Sequence, residues 1–269
     1  MVLAFLLVAS CAGRAESDCA DCSDGGAAGT GGSAAISGAG ANGGAGSEAG
    51  AGGAAGAPVC PSHQRLQLAQ PKPFCIDRFE VSAGEYSEFL ELAPGWPGVQ
   101  GTFACQWKSG LNPGTAVNDG SLPVTGVDWC DAWAFCEWRG ARLCGRIGGG
   151  STDYSDLDDV RDEWYWTCSA GGEQQYPYGN NYSDACATES TAPVPAQSLG
   201  CEGPEGIHHL SGNVFEWVNS CELGEGPVSH CRVRGGGWDW GAVVATCAYG
   251  AARRRDRPDD QVGFRCCSG

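Results

Sequence analysis

Seventeen cysteines occur in 269 residues, and fourteen of them lie from Cys60 to Cys267. Fourteen is even and allows seven bridges, so this part of the chain reads as a disulfide framework. Such density points to an oxidising compartment, because in a reducing cytosol the thiols would stay unpaired and contribute nothing. Zinc is the competing use of clustered cysteine, and the pattern disfavours it. Cys19-Ala20-Asp21-Cys22 is a lone pair, with no partner pair and no histidine nearby. Proximity in the chain suggests two bridges, Cys221 with Cys231 and Cys186 with Cys201.

Composition divides the chain into three parts. Residues 12–57 are nearly all Gly, Ala, Ser and a few acids, with one Ile and no aromatic residue. They cannot bury enough apolar surface to offset the entropy of ordering. A Gly-rich coil of this length spans roughly 35–40 Å, enough to hold a domain clear of a membrane surface. In front of it Val2 to Ser10 is a short apolar run, far below the ~20 residues that cross a bilayer. Its end, Val8-Ala9-Ser10-Cys11, resembles a bacterial lipoprotein cleavage box, which would make Cys11 the lipidated first residue of the mature chain. No Lys or Arg precedes Arg14, so a basic leader region would lie upstream of Met1. The expectation is a signal sequence over 1–11, a disordered tether over 12–59 and one domain over 60–269. The protein is then exported and joined to a membrane through its lipid. Ala12 after the cysteine fits an outer-membrane destination, with the domain facing the periplasm or the outside. The alternative is a frayed apolar N-terminus on a cytosolic protein.

Local signals place two core helices. Ser82-Ala83-Gly84-Glu85 is a capping box followed by Tyr86, Phe89 and Leu90 at helical spacing. Asp128 caps a second helix with Trp129, Ala132, Trp133 and Cys136 on one face, and Gly140 stops it. The acid-rich stretch Asp153 to Asp162 reads as a surface helix with Leu157, Val160 and Trp164 on its buried side. Short strands are expected at 232–236 and 263–266. A net charge of -16 argues against a nucleic-acid partner. Arg253, Arg254, Arg255 and Arg257 are interleaved with Asp256, Asp259 and Asp260, which predicts local ion pairing.

Several words of the sequence occur in a telling order. Phe74-Cys75-Ile76-Asp77-Arg78-Phe79-Glu80-Val81 comes first, then Asp128-Trp129-Cys130-Asp131-Ala132 and Gly140-Ala141-Arg142-Leu143. Ser211-Gly212-Asn213-Val214-Phe215-Glu216-Trp217, Arg234-Gly235-Gly236-Gly237-Trp238 and Gly263-Phe264-Arg265-Cys266 close the series. Together they resemble the formylglycine-generating, sulfatase-modifying-factor family from about residue 60 onward. The resemblance implies an α+β, lectin-like fold with little regular secondary structure and many disulfides. It also implies bridges from Cys136 to Cys266 and from Cys168 to Cys247.

In the enzymes of that family, two cysteines shortly after Arg-Gly-Gly hold copper as thiolates and oxidise a substrate cysteine. The matching positions here are Trp240 and Ala245, neither of which can ligate copper, and Gly237 stands where a small hydroxyl residue is usual. Copper chemistry is therefore not expected. An iron-using branch needs three histidines from an additional helical domain, whereas this chain has only His63, His208, His209 and His230. Adjacent His208 and His209 read as turn or surface residues, and His230 as part of an exposed hairpin. Calcium is the more credible ion. The resemblance assigns it to Gly212, Val214 and Glu216, with His209 replacing a side-chain oxygen ligand. Glu216 has a second reading as a buried acceptor that holds its turn together. Trp96, Trp107, Trp238 and Trp240 fall in loops or near the former channel, where an aromatic floor could take a ligand.

Two functions follow. One is a lipid-anchored, disulfide-stapled module that binds an unidentified ligand or protein at the cell envelope. The other is an oxidoreductase with a rearranged site, using Cys247, Cys266 or Cys267 as reactive thiols. Adjacent Cys266 and Cys267 are expected to resist forming two separate bridges without strain, which keeps the second open, while the binding module is the reading preferred.

Overall fold

With 44 glycines and 14 prolines the chain turns often, and its regular elements are correspondingly short. The computed structural model describes residues 58–93, 103–112, 114–115, 119–184, 186–224 and 226–269. The expected leader, most of the tether, Cys11, the Cys19–Cys22 pair and Trp96 lie outside the described residues. One four-stranded sheet contains β1 (Gln64–Gln67), β2 (Phe74–Asp77), β3 (Arg142–Leu143) and β8 (Cys266–Ser268). Its order is β1-β2-β8-β3, antiparallel throughout. The other contains β4 (Phe215–Cys221), β5 (His230–Arg234), β6 (Gly250–Arg254) and β7 (Val262–Phe264) in the order β6-β5-β4-β7. Its β4–β7 pair is parallel. The helices are α1 (Ala83–Leu92), α2 (Trp129–Trp138), α3 (Glu163–Cys168) and α4 (Gly241–Val244). One antiparallel and one mixed sheet with a few short helices give the α+β class.

The expected capping box at Ser82 and the expected cap at Asp128 both form, the latter also as a capping box. Ser82 accepts from the Glu85 backbone N–H at 3.3 Å, while Glu85 accepts from the Ser82 N–H at 2.9 Å. Asp128 and Asp131 do the same for α2, and the buried Lys108 ammonium lies 2.6 Å and 3.0 Å from their carboxylates. The acid-rich stretch before α3 does not form a helix. Asp153 accepts from the N–H and hydroxyl of Ser155, and Asp159 accepts from the Arg161 N–H. Aspartates that capture nearby backbone donors compete with helical hydrogen bonding, so the segment folds as turns. Asp162 then caps α3 by accepting from the Tyr165 N–H at 2.7 Å. Trp164 is fully buried, as expected of that face, but Val160 is 44% exposed.

The buried side chains form two cores. One packs Tyr86, Phe89, Phe135, Trp217 and Phe264 with α1 and α2. Phe135 meets Phe264 edge-on at 5.3 Å and Phe89 at 5.5 Å, and each fully buried ring contributes about 2–3 kcal/mol. The second gathers Phe74, Ile76, Trp164, Ile207, Leu210 and Val218.

All fourteen cysteines of the described residues are paired: 60–75, 105–130, 136–266, 144–267, 168–247, 186–201 and 221–231. The expected conflict at Cys266 and Cys267 is absent. Successive residues of a strand face opposite sides, so on β8 Cys266 bridges into the first core and Cys267 into the second.

While either bridge of β8 is intact, the loop closed by the other is on the order of ten residues, and its loss costs about 2–3 kcal/mol. Replacing both pairs by alanine releases the long loop, and the combined loss should reach about 6–7 kcal/mol. Urea unfolding of the two single-bridge variants and the combined variant measures this excess over additivity.

Candidate functional site

The Ser211–Trp217 segment enters β4 through a turn that needs left-handed backbone twice. Gly212 has φ 75° and Asn213 φ 60°, and a Cβ at Gly212 would collide with the Ala187 carbonyl oxygen. Asparagine tolerates this conformation better than most side chains. Here its amide is also fully used: Nδ2 donates to Glu80 Oε2 at 2.7 Å, and Oδ1 accepts from the Val194 N–H at 2.9 Å. Glu80 was not foreseen as a site residue, although an acid at the end of the apolar Phe74–Val81 segment was its visible signal.

Three residues after Asn213, Glu216 is fully buried and accepts from the Arg265 guanidinium twice, Nε to Oε2 at 2.7 Å and Nη2 to Oε1 at 2.6 Å. The Trp164 indole adds a third donor at 2.8 Å. Arg265 donates two further N–H groups to the carbonyls of Asp77 at 3.1 Å and His208 at 2.8 Å. Glu216 thus fills the role of buried acceptor. It does not fit that of a calcium ligand, because both carboxylate oxygens already face a cation of the chain itself.

His208 and His209 are buried, contrary to the surface reading. The His208 ring stacks on Phe79 at 5.0 Å, and its carbonyl is drawn inward by Arg265. His209 sits at φ 59° with Nε2 3.0 Å from both oxygens of Ser198. Burial lowers its pKa to about 4, which keeps the ring neutral. His230 lies at the start of β5 with its ring, partly exposed, 3.2 Å from Glu222.

The Arg-Gly-Gly loop follows β5. Gly235 and Gly236 have φ 87° and 79°, and the Gly235 carbonyl accepts from the Gly212 N–H at 2.8 Å, tying this loop to the turn. Trp240 then packs edge-on against Phe215 at 5.4 Å, while its Nε1 donates to Gln261 Oε1 at 2.7 Å. It remains 43% exposed, and Val243 beside it on α4 is 76% exposed. Ala245 is buried, and its carbonyl accepts from the Ser211 hydroxyl at 2.6 Å. The Gly241 N–H donates to the Thr188 carbonyl at 2.9 Å, and Tyr182 reaches both Thr188 at 2.8 Å and Glu189 at 3.1 Å. Nothing in the sequence pattern marked Tyr182 or Glu189 as neighbours of α4. Trp107 packs against the first core instead, with its Nε1 donating to Ala104.

These residues do not fit copper. Trp240 and Ala245 offer no thiolate, and Cys247, Cys266 and Cys267 are each held in a bridge. The rearranged thiol site expected of an oxidoreductase therefore has no free cysteine among the described residues.

The Gly-Asn turn, the Arg-Gly-Gly loop and the Gly-Phe-Arg strand, clamped by one buried ion pair, define a formylglycine-generating type of scaffold. The chain belongs to the family described as "Sulfatase-modifying factor enzyme 1-like domain", whose model matches residues 38–268. It is similar to the inactive C-alpha-formylglycine-generating enzyme 2 of Mus musculus, 27% identical over 255 residues covering 73% of this chain and 75% of the relative. It is also similar to the formylglycine-generating enzyme of Thermomonospora curvata, 24% identical over 197 residues covering 54% and 59%. Among solved structures, PvdO from Pseudomonas aeruginosa shares the fold at a TM-score of 0.52 and 18% identity, over 73% of this chain and 80% of that one.

Removing Arg265 leaves a buried carboxylate without its cation, and Arg265→Met should cost about 3–5 kcal/mol in denaturant unfolding. Burial first, and then the nearby Glu216, raises the Glu80 carboxyl well above the usual range, against the opposing pull of Arg265 and Asn213. The folded state therefore holds a proton that the unfolded chain releases, and this contribution to stability is complete below the ordinary carboxylate pKa. It is lost as pH rises toward the folded value. Relative to wild type, Glu80→Gln should gain stability between pH 5 and 8, as read from denaturant midpoints.

Proposed function

We propose that this protein is an exported, lipid-anchored member of the family that binds rather than oxidises. The observation that carries this reading is that every described cysteine is bridged, while the positions that the family resemblance assigns to a copper-ligating pair hold a half-exposed Trp240 and a buried Ala245. The relative in Mus musculus, and another in Bos taurus 27% identical over 256 residues, carry the name of inactive enzymes, which supports loss of the chemistry. The face left in its place is rigid. Trp240 is fixed by Gln261 and Phe215, and Val243, Glu189 and Tyr182 lie around the same loop. A preorganised aromatic residue with a polar border is suited to binding, because little side-chain entropy remains to be lost.

Seven bridges support an oxidising compartment, and no helix among the described residues is long and apolar enough to cross a membrane. Attachment through Cys11 at the cell envelope is the arrangement that uses both the short apolar run and the tether.

The full chain, expressed in a bacterium with its leader, tests both parts. Labelled fatty acid should be incorporated by wild type and lost in Cys11→Ser. Supplied with copper and a cysteine-containing peptide, the protein should consume no oxygen above a copper-only control. Copper-dependent oxygen uptake would reject the non-catalytic reading, and label retained in Cys11→Ser would reject the anchor.

A further inference from the structure

At the start of α2 three charged side chains share one buried point. Lys108 Nζ lies 2.6 Å from Asp128 Oδ2 and 3.0 Å from Asp131 Oδ1, and the three side chains are 5%, 2% and 0% exposed. Each carboxyl group is also held from its other side. Asp128 Oδ1 accepts from the Asp131 N–H at 3.0 Å, and Asp131 Oδ2 accepts from the Asp128 N–H at 2.9 Å. Asn112 closes the cluster: its Nδ2 donates to Asp128 Oδ2 at 3.3 Å and its N–H to Asp131 Oδ1 at 3.0 Å. The Trp107 ring lies 5.8 Å from the ammonium. Burial first, and then Asp128, raises the Asp131 carboxyl to about 7 against the pull of Lys108, so near neutral pH it both takes up and releases a proton. An ammonium between two carboxyls is costly to keep out of water. One charged pair can be removed by a reaction whose parts are already in contact: an amine, a carboxyl group and an acid–base group.

We propose that Lys108 and Asp128 join covalently, through an isopeptide bond formed by the folded protein itself with Asp131 as the proton carrier. The step is a condensation and needs no oxidant or co-reactant. The Lys108 ammonium gives one proton to Asp128 Oδ2, its nearest acceptor, which leaves an amine beside a neutral carboxyl. The nitrogen lone pair adds to Asp128 Cγ, while the charge developing on Oδ1 is met by the Asp131 N–H. Asp131 takes a second proton from the nitrogen and passes it to Oδ2. The Cγ–Oδ2 bond breaks, Oδ2 departs as water, and the third proton stays on the new amide. Contact between the reactants supplies an effective concentration that reaches on the order of 10⁵ M in well-oriented intramolecular reactions. The product suits its surroundings. Its carbonyl oxygen still caps α2 by accepting from the Asp131 N–H, its own N–H faces Asp131 Oδ1, and one ammonium and one carboxylate have gone from the interior. Asp128 is the acyl partner because it is the nearer to Nζ, which leaves Asp131 to carry the proton. The bond does not depend on the binding reading of the Trp240 face.

Mass spectrometry of the full chain, denatured, reduced, alkylated and digested with trypsin, reads the bond. Lys108 is the only trypsin site between Phe79 and Arg139, and an acylated lysine is not cut. The fragment 79–139 should therefore stay whole, with a mass lower than its sequence by one water. Further cleavage before Asp119 with an aspartate-specific protease should leave a Lys108 peptide and an Asp128 peptide still joined. Lys108→Arg, which keeps the charge but lacks the amine, should give separate peptides. Asp131→Asn should lower the joined fraction at least tenfold in protein of equal age. The Cys105–Cys130 bridge, found intact in an unreduced digest, checks that this variant has folded around the site. Two separate peptides of full sequence mass in wild type overturn the proposal, as does a whole fragment that has lost no water. Loss of water without linkage after cleavage before Asp119 also overturns it, since that marks an internal imide. Linkage through Asp131 would overturn the choice of acyl partner, and an undiminished yield in Asp131→Asn would overturn its role as proton carrier.

Discussion

The buried ion pair between Glu216 and Arg265 ties the two sheets of the domain together. Glu216 belongs to β4 in one sheet, and Arg265 is the single residue between β7 of that sheet and β8 of the other. Two charges in a fully buried position are expensive to desolvate, and they are tolerated only when nearly every polar atom is satisfied. That condition is met by the Trp164 indole and by the carbonyls of Asp77 and His208. The pair therefore draws α3, β2 and the His208 turn toward one point. The dense polar network explains why the words Glu-Trp, Gly-Phe-Arg and the apolar β2 segment occur together in one sequence.

Much of this was legible from residues alone. The capping box at Ser82 and the cap at Asp128 are local, and local signals survive folding. The bridges 136–266 and 168–247 came from the family resemblance, and 221–231 and 186–201 from nearness in the chain. Cys60–Cys75, Cys105–Cys130 and Cys144–Cys267 were not assigned, because their pairing depends on which strands and turns meet in space. The acidic stretch misled for a definable reason: apolar spacing suggested a helix, while Asp153 and Asp159 had better use for nearby N–H groups. His208 and His209 look like surface residues in sequence, and only the position of Arg265 shows why the backbone there is drawn inside.

The two kinds of site differ in how they are encoded. The Gly212–Asn213 turn, the Gly235–Gly236 loop and Arg265 make the frame, each fixed by left-handed backbone or by buried polar pairing. Trp240, Val243, Tyr182 and Glu189 hang from that frame on α4 and the loop beside it, where substitution has little effect on the core. The indole of Trp240 and the methyl group of Ala245 thus sit beside the Arg-Gly-Gly loop without entering the contacts that fix its geometry. Frame residues are consequently poor indicators of chemistry, and the residues at the loop surface are informative ones.

The back-to-back cysteines of β8 have a consequence for biogenesis. Cys136 and Cys144 precede their partners by 130 and 123 residues, and six further cysteines lie in the interval. In a chain that enters an oxidising compartment N-terminus first, these two thiols would meet an oxidant before Cys266 and Cys267 arrive, with closer and incorrect partners on offer. The strand that joins both cores would then be closed late, by thiol–disulfide exchange rather than by first encounter. Production of the native protein should depend on an isomerase in its compartment as much as on the oxidant.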